Sequence, residues 1–184
     1  EARTLQLLKK VIEWARSTEP SQPLTVGIWN VDKAFADLNR FQAENSDVVS
    51  FHAYQDESGM SKMIEAMRAY NRPLLCTEYM ARTVNSRFDN DLPLLKTRNV
   101  GAFNWGFVSG KTQTIFPWGS KAGSPEPRVW FHDIFRPDGT PFAVSEVKLI
   151  RRFSGLEHPE SAAPTTSLVA SPAFHAWALT PPMG

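Results

Sequence analysis

Glu78 is the side chain in this sequence best placed to do chemistry. It follows the mostly apolar run Pro73-Leu74-Leu75-Cys76-Thr77, and a carboxylate ending such a run is partly desolvated, which is costly unless the charge is used or paired. The competing assignment is a strand-end carboxylate paired to Arg82 or to a helix N-terminus. Three other short runs change from apolar to polar and aromatic at the same end: one into Trp29-Asn30, one into His52 with Tyr54-Gln55, and one into Asn104-Trp105. Four such changes in register predict a shared site. In it the Tyr54 hydroxyl can orient a carboxylate nucleophile at Glu78. His52, Asn30 and Asn104 offer hydrogen bonds to hydroxyl groups, and Trp29 and Trp105 offer faces for stacking. Aromatic faces pack against the apolar C–H faces of sugars. The 11% aromatic content with six Trp therefore suits a carbohydrate site, although buried rings dominate protein cores generally.

The elements that must position these residues follow from periodicity. Leu5, Leu8, Val11, Ile12 and Ala15 recur at helical spacing over residues 3–16, and further helical patterns run over about 33–43, 60–70, 91–98 and 142–153. Between them lie four short β-type runs, 24–29, 47–54, 73–79 and 100–107. Strands alternating with helices of this length predict βαβ units and a parallel sheet. The order is α-(βα)4, half of a (β/α)8 barrel, a fold that needs about 250 residues when complete and carries its sites at the C-terminal strand ends. Half a barrel leaves two long parallel edges, beginning at Leu24 and Val100, which must be covered. Self-association or a missing N-terminal half is therefore expected. Residues 1–155 form the predicted domain, and the Pro-, Ser- and Ala-rich stretch 156–184 reads as a linker or tail.

The order of motifs resembles the C-terminal half of clan A retaining glycoside hydrolases, close to families 5 and 2. Arg72-Pro73-Leu74-Leu75-Cys76-Thr77-Glu78-Tyr79 is similar to their seventh barrel strand, which ends in the nucleophile Glu. Val48-Val49-Ser50-Phe51-His52-Ala53-Tyr54 resembles strand six, with its His and Tyr near the site, and Asn99-Val100-Gly101-Ala102-Phe103-Asn104-Trp105 resembles strand eight, with its subsite Trp. His132-Asp133-Ile134-Phe135 through Asp138-Gly139-Thr140-Pro141 and Glu146 resembles the segment leading into the last helix. The resemblance spans about residues 3–153. It implies cleavage of β-linked glycans by double displacement with Glu78 as nucleophile, no cofactor and a carbohydrate partner; the location stays unknown, with a secreted or periplasmic one compatible with the resemblance. The chain departs from the family in one respect. The acid/base Glu of those enzymes closes strand four in an Asn-Glu-Pro motif, and Glu1 has neither a preceding Asn nor a strand. Asp56 and Glu57 are the nearby carboxylates, and both read as solvated loop groups. If two copies close one barrel, strand eight, ending in Asn104-Trp105, brings no carboxylate to the vacant position. A non-catalytic carbohydrate-binding module, or a remnant half-barrel, is thus the alternative. The last residues, Trp177-Ala178-Leu179-Thr180-Pro181-Pro182-Met183-Gly184, resemble the opening of family 27 glycoside hydrolases.

Other function classes find little support. Twenty basic residues against nineteen acidic ones give no electrostatic case for nucleic acid or an anionic membrane. No apolar run approaches the roughly 20 residues of a membrane span. The lone Cys76 excludes an intramolecular disulfide framework. The start at Glu1, directly in a helical pattern, predicts a processed or truncated product. Gly106-Phe107-Val108-Ser109-Gly110-Lys111-Thr112 has one residue too few for a phosphate loop. His132-Asp133 alone does not make a metal site, and no metal is expected.

Overall fold

The computed structural model describes residues 2–156, so the tail expected beyond Leu156 lies outside the described residues. The described chain is a mixed α/β fold. Five helices, α1 (Ala2–Ser17), α2 (Ala36–Asn45), α3 (Glu57–Arg68), α4 (Phe88–Thr97) and α5 (Val144–Phe153), accompany three strands, β1 (Val49–His52), β2 (Leu74–Glu78) and β3 (Gly101–Ala102). The strands lie in the order β1-β2-β3 and all pair in parallel, which places their C-terminal ends along one rim. Alternate strand residues Val49, Phe51, Leu74 and Cys76 enter one buried cluster with Met60 and Ile64 of α3 and Leu95 of α4. Truncating Phe51, Met60, Ile64, Leu74 or Leu95 to Ala would cost roughly 2–5 kcal/mol.

Two expected strands are corrected. The run 24–29 makes only one parallel bridge, Ile28 to Phe51, because its backbone groups find side chains instead of a ladder. Leu24 N–H donates to Asp47 Oδ2 at 2.7 Å, Val26 N–H to Ser46 Oγ at 3.0 Å, and the Gly27 carbonyl accepts from Gln42 Nε2 at 3.0 Å. The run 100–107 contributes just Gly101 and Ala102 as strand. Beyond them single bonds continue the pairing with β2, from Phe103 N–H to the Cys76 carbonyl and from Trp105 N–H to the Tyr79 carbonyl. The chain then turns away at Gly106, where φ is +87°. Helix α3 starts three residues earlier than the apolar pattern suggested, because Asp56 caps it by accepting from Gly59 N–H at 2.9 Å. Helix α4 likewise starts at Phe88 rather than Asp91.

One irregularity matters for the site. Phe51 stands opposite Cys76, but the next residue, His52, stands opposite Glu78. Thr77 is therefore the extra residue of a bulge in β2. Without it His52 would face Thr77, and the side chains past that point would exchange faces.

The long loop from 107 to 143 folds back over this rim and is seated by Gly106. A Cβ built at Gly106 would lie 2.7 Å from both Asp133 Oδ1 and His132 Cβ. Gly106→Ala should therefore lower the urea midpoint at unchanged m-value, by more than the roughly 1–2 kcal/mol that a left-handed conformation alone costs a non-glycine residue. A loss below 1 kcal/mol would mean that the loop is not anchored there.

Candidate active site

Glu78 ends β2 with its side chain 24% exposed, reachable yet largely enclosed. The Tyr54 hydroxyl donates to Glu78 Oε2 at 2.8 Å, and His52 Nδ1 lies 3.2 Å from the same oxygen. Glu78 Oε1 has no partner among the described residues and is not sealed from the surface. One carboxylate oxygen is thus held while the other stays open. Burial, and then the hydrogen bond to Glu78, push the Tyr54 phenol well above its ordinary range, so it remains a donor at any pH the fold tolerates. Arg82 does not pair with Glu78. It binds Glu146 through two nitrogens, at 2.7 and 2.8 Å, and no helix N-terminus meets Glu78 directly, since the next turn begins at Arg82.

Directly after Glu78 and Tyr79 the chain makes a turn that the sequence did not announce. Met80 is fully buried with φ +73°, a left-handed conformation that is a genuine outlier for a bulky residue and marks stored strain. Both of its backbone groups are bonded. Its N–H donates to Ser86 Oγ at 3.1 Å, and its carbonyl lies 2.7 Å from His132 Nδ1. The Ser86 hydroxyl in turn donates to Asp91 Oδ2 at 2.8 Å. The His132 ring packs against Tyr54, with ring centroids 5.4 Å apart, and Trp118 meets Tyr54 in a T-shaped contact at 5.1 Å.

The other residues expected at the site are placed unevenly. Trp105 lies at the end of the rim, exposed, beside a cleft that it shares with Trp118 and His132. Asn104 spends its side-chain amide on the Gly106 carbonyl. Asn30 accepts from Asp32 N–H at 2.9 Å and so closes a local turn, while Trp29 is exposed and stacks edge-to-face with Phe35. Among the described residues no bond joins Trp29, Asn30 or Asn104 to the Glu78 cluster. Asp56 caps α3, and Asp56 and Glu57 line a separate depression with Lys62 and Arg98. Among the described residues no group of three or more His, Cys, Asp or Glu could hold a metal ion, and no helix is long and apolar enough to cross a membrane. Sequence reasoning missed Met80 and Trp118. The general excess of aromatic residues was the only signal for Trp118, and nothing in the residue types signalled Met80. When compared with protein-family models and with curated proteins, the chain matches none.

Asp91 is fully buried, and its Oδ1 has no partner among the described residues. Burial pushes its carboxyl up to about 7, with the Ser86 hydrogen bond opposing. The unfolded value lies near 3.9. The native state therefore binds the extra proton between pH 4 and 7, and the stability tied to it is lost as pH rises through that window. His132, which burial holds below the ordinary imidazole range, acts in the opposite sense, so the comparison must be with a variant. Between pH 5 and 7.5 wild type should lose on the order of 2 kcal/mol more than Asp91→Asn, read from urea midpoints. Parallel pH profiles for the two proteins would refute the assignment.

Proposed function

We propose that this chain is the nucleophile-bearing half of a retaining glycoside hydrolase acting on β-linked glycans. The observation that carries the reading is the divided carboxylate. Tyr54 and His52 converge on Oε2 of Glu78, while Oε1 is left free and accessible at the end of a parallel strand. In this reading Oε1 attacks the anomeric carbon and the bond to the leaving oxygen breaks, giving a glycosyl ester that water then hydrolyses. Tyr54 and His52 fix the direction of attack and stabilise the carboxylate as it is regenerated. Trp105 supplies a stacking surface at the same rim. Trp29, Asn30 and Asn104 remain candidate substrate contacts that would have to release or share their present partners.

The parallel order β1-β2-β3, with Ile28 bridged to β1 and helices between the strands, supports reading the fold as half of a (β/α)8 barrel. A second copy of the chain, or a separate N-terminal half, would complete it. Retention also needs a second carboxyl about 5–5.5 Å from the first, and the side chains bonded to the Glu78 carboxylate are a tyrosine and a histidine. That deficit is the observation favouring the second reading, a carbohydrate-binding half-barrel without turnover.

Aryl β-glycosides separate the two readings, because an aryl leaving group departs with little acid assistance. Hydrolysis by wild type that falls to background in Glu78→Gln is the expected result. Tyr54→Phe should lower kcat by roughly 10- to 100-fold, the value of one hydrogen bond to a charged group at about 1.5–3 kcal/mol. Folded wild-type protein that binds sugars and releases no aryl alcohol from any member of the panel would favour the binding module.

A further inference from the structure

Two hydrogen bonds run from the first turn of α4 to the turn that follows Glu78. Asp91 Oδ2 accepts from the Ser86 hydroxyl at 2.8 Å, and Ser86 Oγ accepts from Met80 N–H at 3.1 Å. Tyr79 alone separates Met80 from Glu78 in the chain. Met80 is held left-handed at φ +73°, a conformation that persists only while its surroundings enforce it. The Ser86 backbone closes the same turn, its carbonyl accepting from Ala81 N–H at 2.8 Å. Ser86 is thus the post around which the turn is folded, and Asp91 orients its hydroxyl.

Only one of the two Asp91 oxygens is satisfied. Oδ1 is the sealed side-chain polar atom left without a partner among the described residues. A neutral carboxyl can carry its proton on Oδ1 and still offer Oδ2 to Ser86, whereas a carboxylate leaves charge at Oδ1 with no donor. The groups that face Asp91 do not relieve that charge. At the head of α4, Asp89 is a like charge, and Arg87, the opposing cation, is paired with Asp89 at 2.9 Å. Asp56, the cap of α3, is a second like charge. Cys76 on β2 and the adjoining Tyr79 stay protonated, because burial holds both well above their ordinary ranges. The fold consequently keeps the Asp91 proton up to about 7.

We propose that Asp91 is a positioning residue for Glu78: neutral, it holds the carboxylate on target through Ser86 and Met80, and ionised, it releases that hold. This role rests on the Glu78 reading above. A buried charge without a partner is relieved by opening the packing around it to water. When the contact between Asp91 and Ser86 opens, Met80 loses the bond that enforces its backbone. The Met80 carbonyl is also the partner of His132 Nδ1 at 2.7 Å, and the His132 ring packs on Tyr54, the donor to Glu78 Oε2. Proton loss at Asp91 therefore reaches both the nucleophile and the group that aims it, with no contact between Asp91 and substrate.

The chain has three tyrosines, which gives a magnetic-resonance reporter that needs no turnover. In protein carrying isotope-labelled tyrosine, the Tyr54 ring signal, identified by its loss in Tyr54→Phe, should shift with a midpoint at about 7 in wild type. Asp91→Asn, which mimics the neutral acid, should lack that step and keep any lower one that arises from His132. On aryl β-glycosides, which need little acid assistance, wild-type kcat should fall about tenfold between pH 6 and pH 8, as the neutral fraction of Asp91 does. KM should change little, and Asp91→Asn should show no such fall. Ser86→Ala, which removes the acceptor from Met80, should lower kcat by roughly tenfold at either pH. The role of Asp91 is overturned by a wild-type Tyr54 signal without the step, by the same step in Asp91→Asn, or by one pH profile of turnover in both proteins. Undiminished kcat in folded Ser86→Ala would overturn it as well. The Tyr54 step in a protein that hydrolyses no aryl glycoside would sink the glycosidase reading alone and leave the link from Asp91 to Tyr54 standing.

Discussion

A methionine in the left-handed region, one residue removed from Glu78, is the constraint around which the site is built. Such a conformation costs roughly 1–2 kcal/mol for a residue with a Cβ, and it persists only where the surroundings over-determine it. Here they do so from three directions. Ser86, itself bonded to buried Asp91, takes the Met80 N–H; His132 takes its carbonyl; and the side chain is enclosed completely. The turn delivers Glu78 to the rim at one end and places His132 behind Tyr54 at the other. Relaxing Met80 would loosen the carboxylate and the ring packed on its partner together.

Arg82 fixes this turn to the rest of the molecule. Its guanidinium binds the carboxylate of Glu146 on α5 through two nitrogens, donates to the carbonyls of Trp130 and Asp133, and lies 4.7 Å from the Phe142 ring centroid. The net stability of a buried ion pair is small, because desolvation offsets most of the attraction, whereas removing one partner is strongly destabilising. The arrangement therefore acts chiefly as a specificity device. A planar fork with each contact matched admits one docking of residues 130–133 against the end of β2, and that docking carries His132 to Met80. The last helix is thereby connected to the carboxylate without touching it.

What the residues disclosed and what they withheld divide along physical lines. Apolar periodicity located all five helices and the central strands, because burial on one face is written directly into residue type. The pairing of Tyr54 with Glu78 was also legible, since a strand-end carboxylate needs a donor and the neighbouring strand offered one. Run 24–29 looked like a strand from its own residues, but Asp47, Ser46 and Gln42, distant in sequence, take its backbone bonds. The bulge at Thr77 has no composition of its own, because it is a mismatch between two strands. Met80 carries no glycine or asparagine to reveal a positive φ, and Trp118 belongs to a loop whose seating depends on Gly106 and Arg82.

Two deficits of the described chain have one location. Large apolar side chains are exposed at both ends of the sheet order: Trp29 and Val31 next to the Ile28 bridge, with Leu7, Val11 and Trp14 on α1, and Phe103, Trp105 and Phe107 along the far edge at β3. With β3 only two residues long and Ile28 making a single bridge, the sheet edges themselves are short, and it is these exposed side chains rather than a long free ladder that offer a surface to cover. Helix α1 buries no residue, and its one long-range ion pair among the described residues, Arg16 with Asp47, is exposed and screened by solvent, so it adds little. Sixteen residues of helix are marginal in water on their own, so the order of α1 calls for more contact than α2 supplies. Under the proposed reading, a segment covering these edges would extend the same rim and bring new strand ends toward Glu78. On that reading the second carboxylate would arrive at the surface the described chain leaves exposed, so that covering the sheet ends would also complete the proposed site.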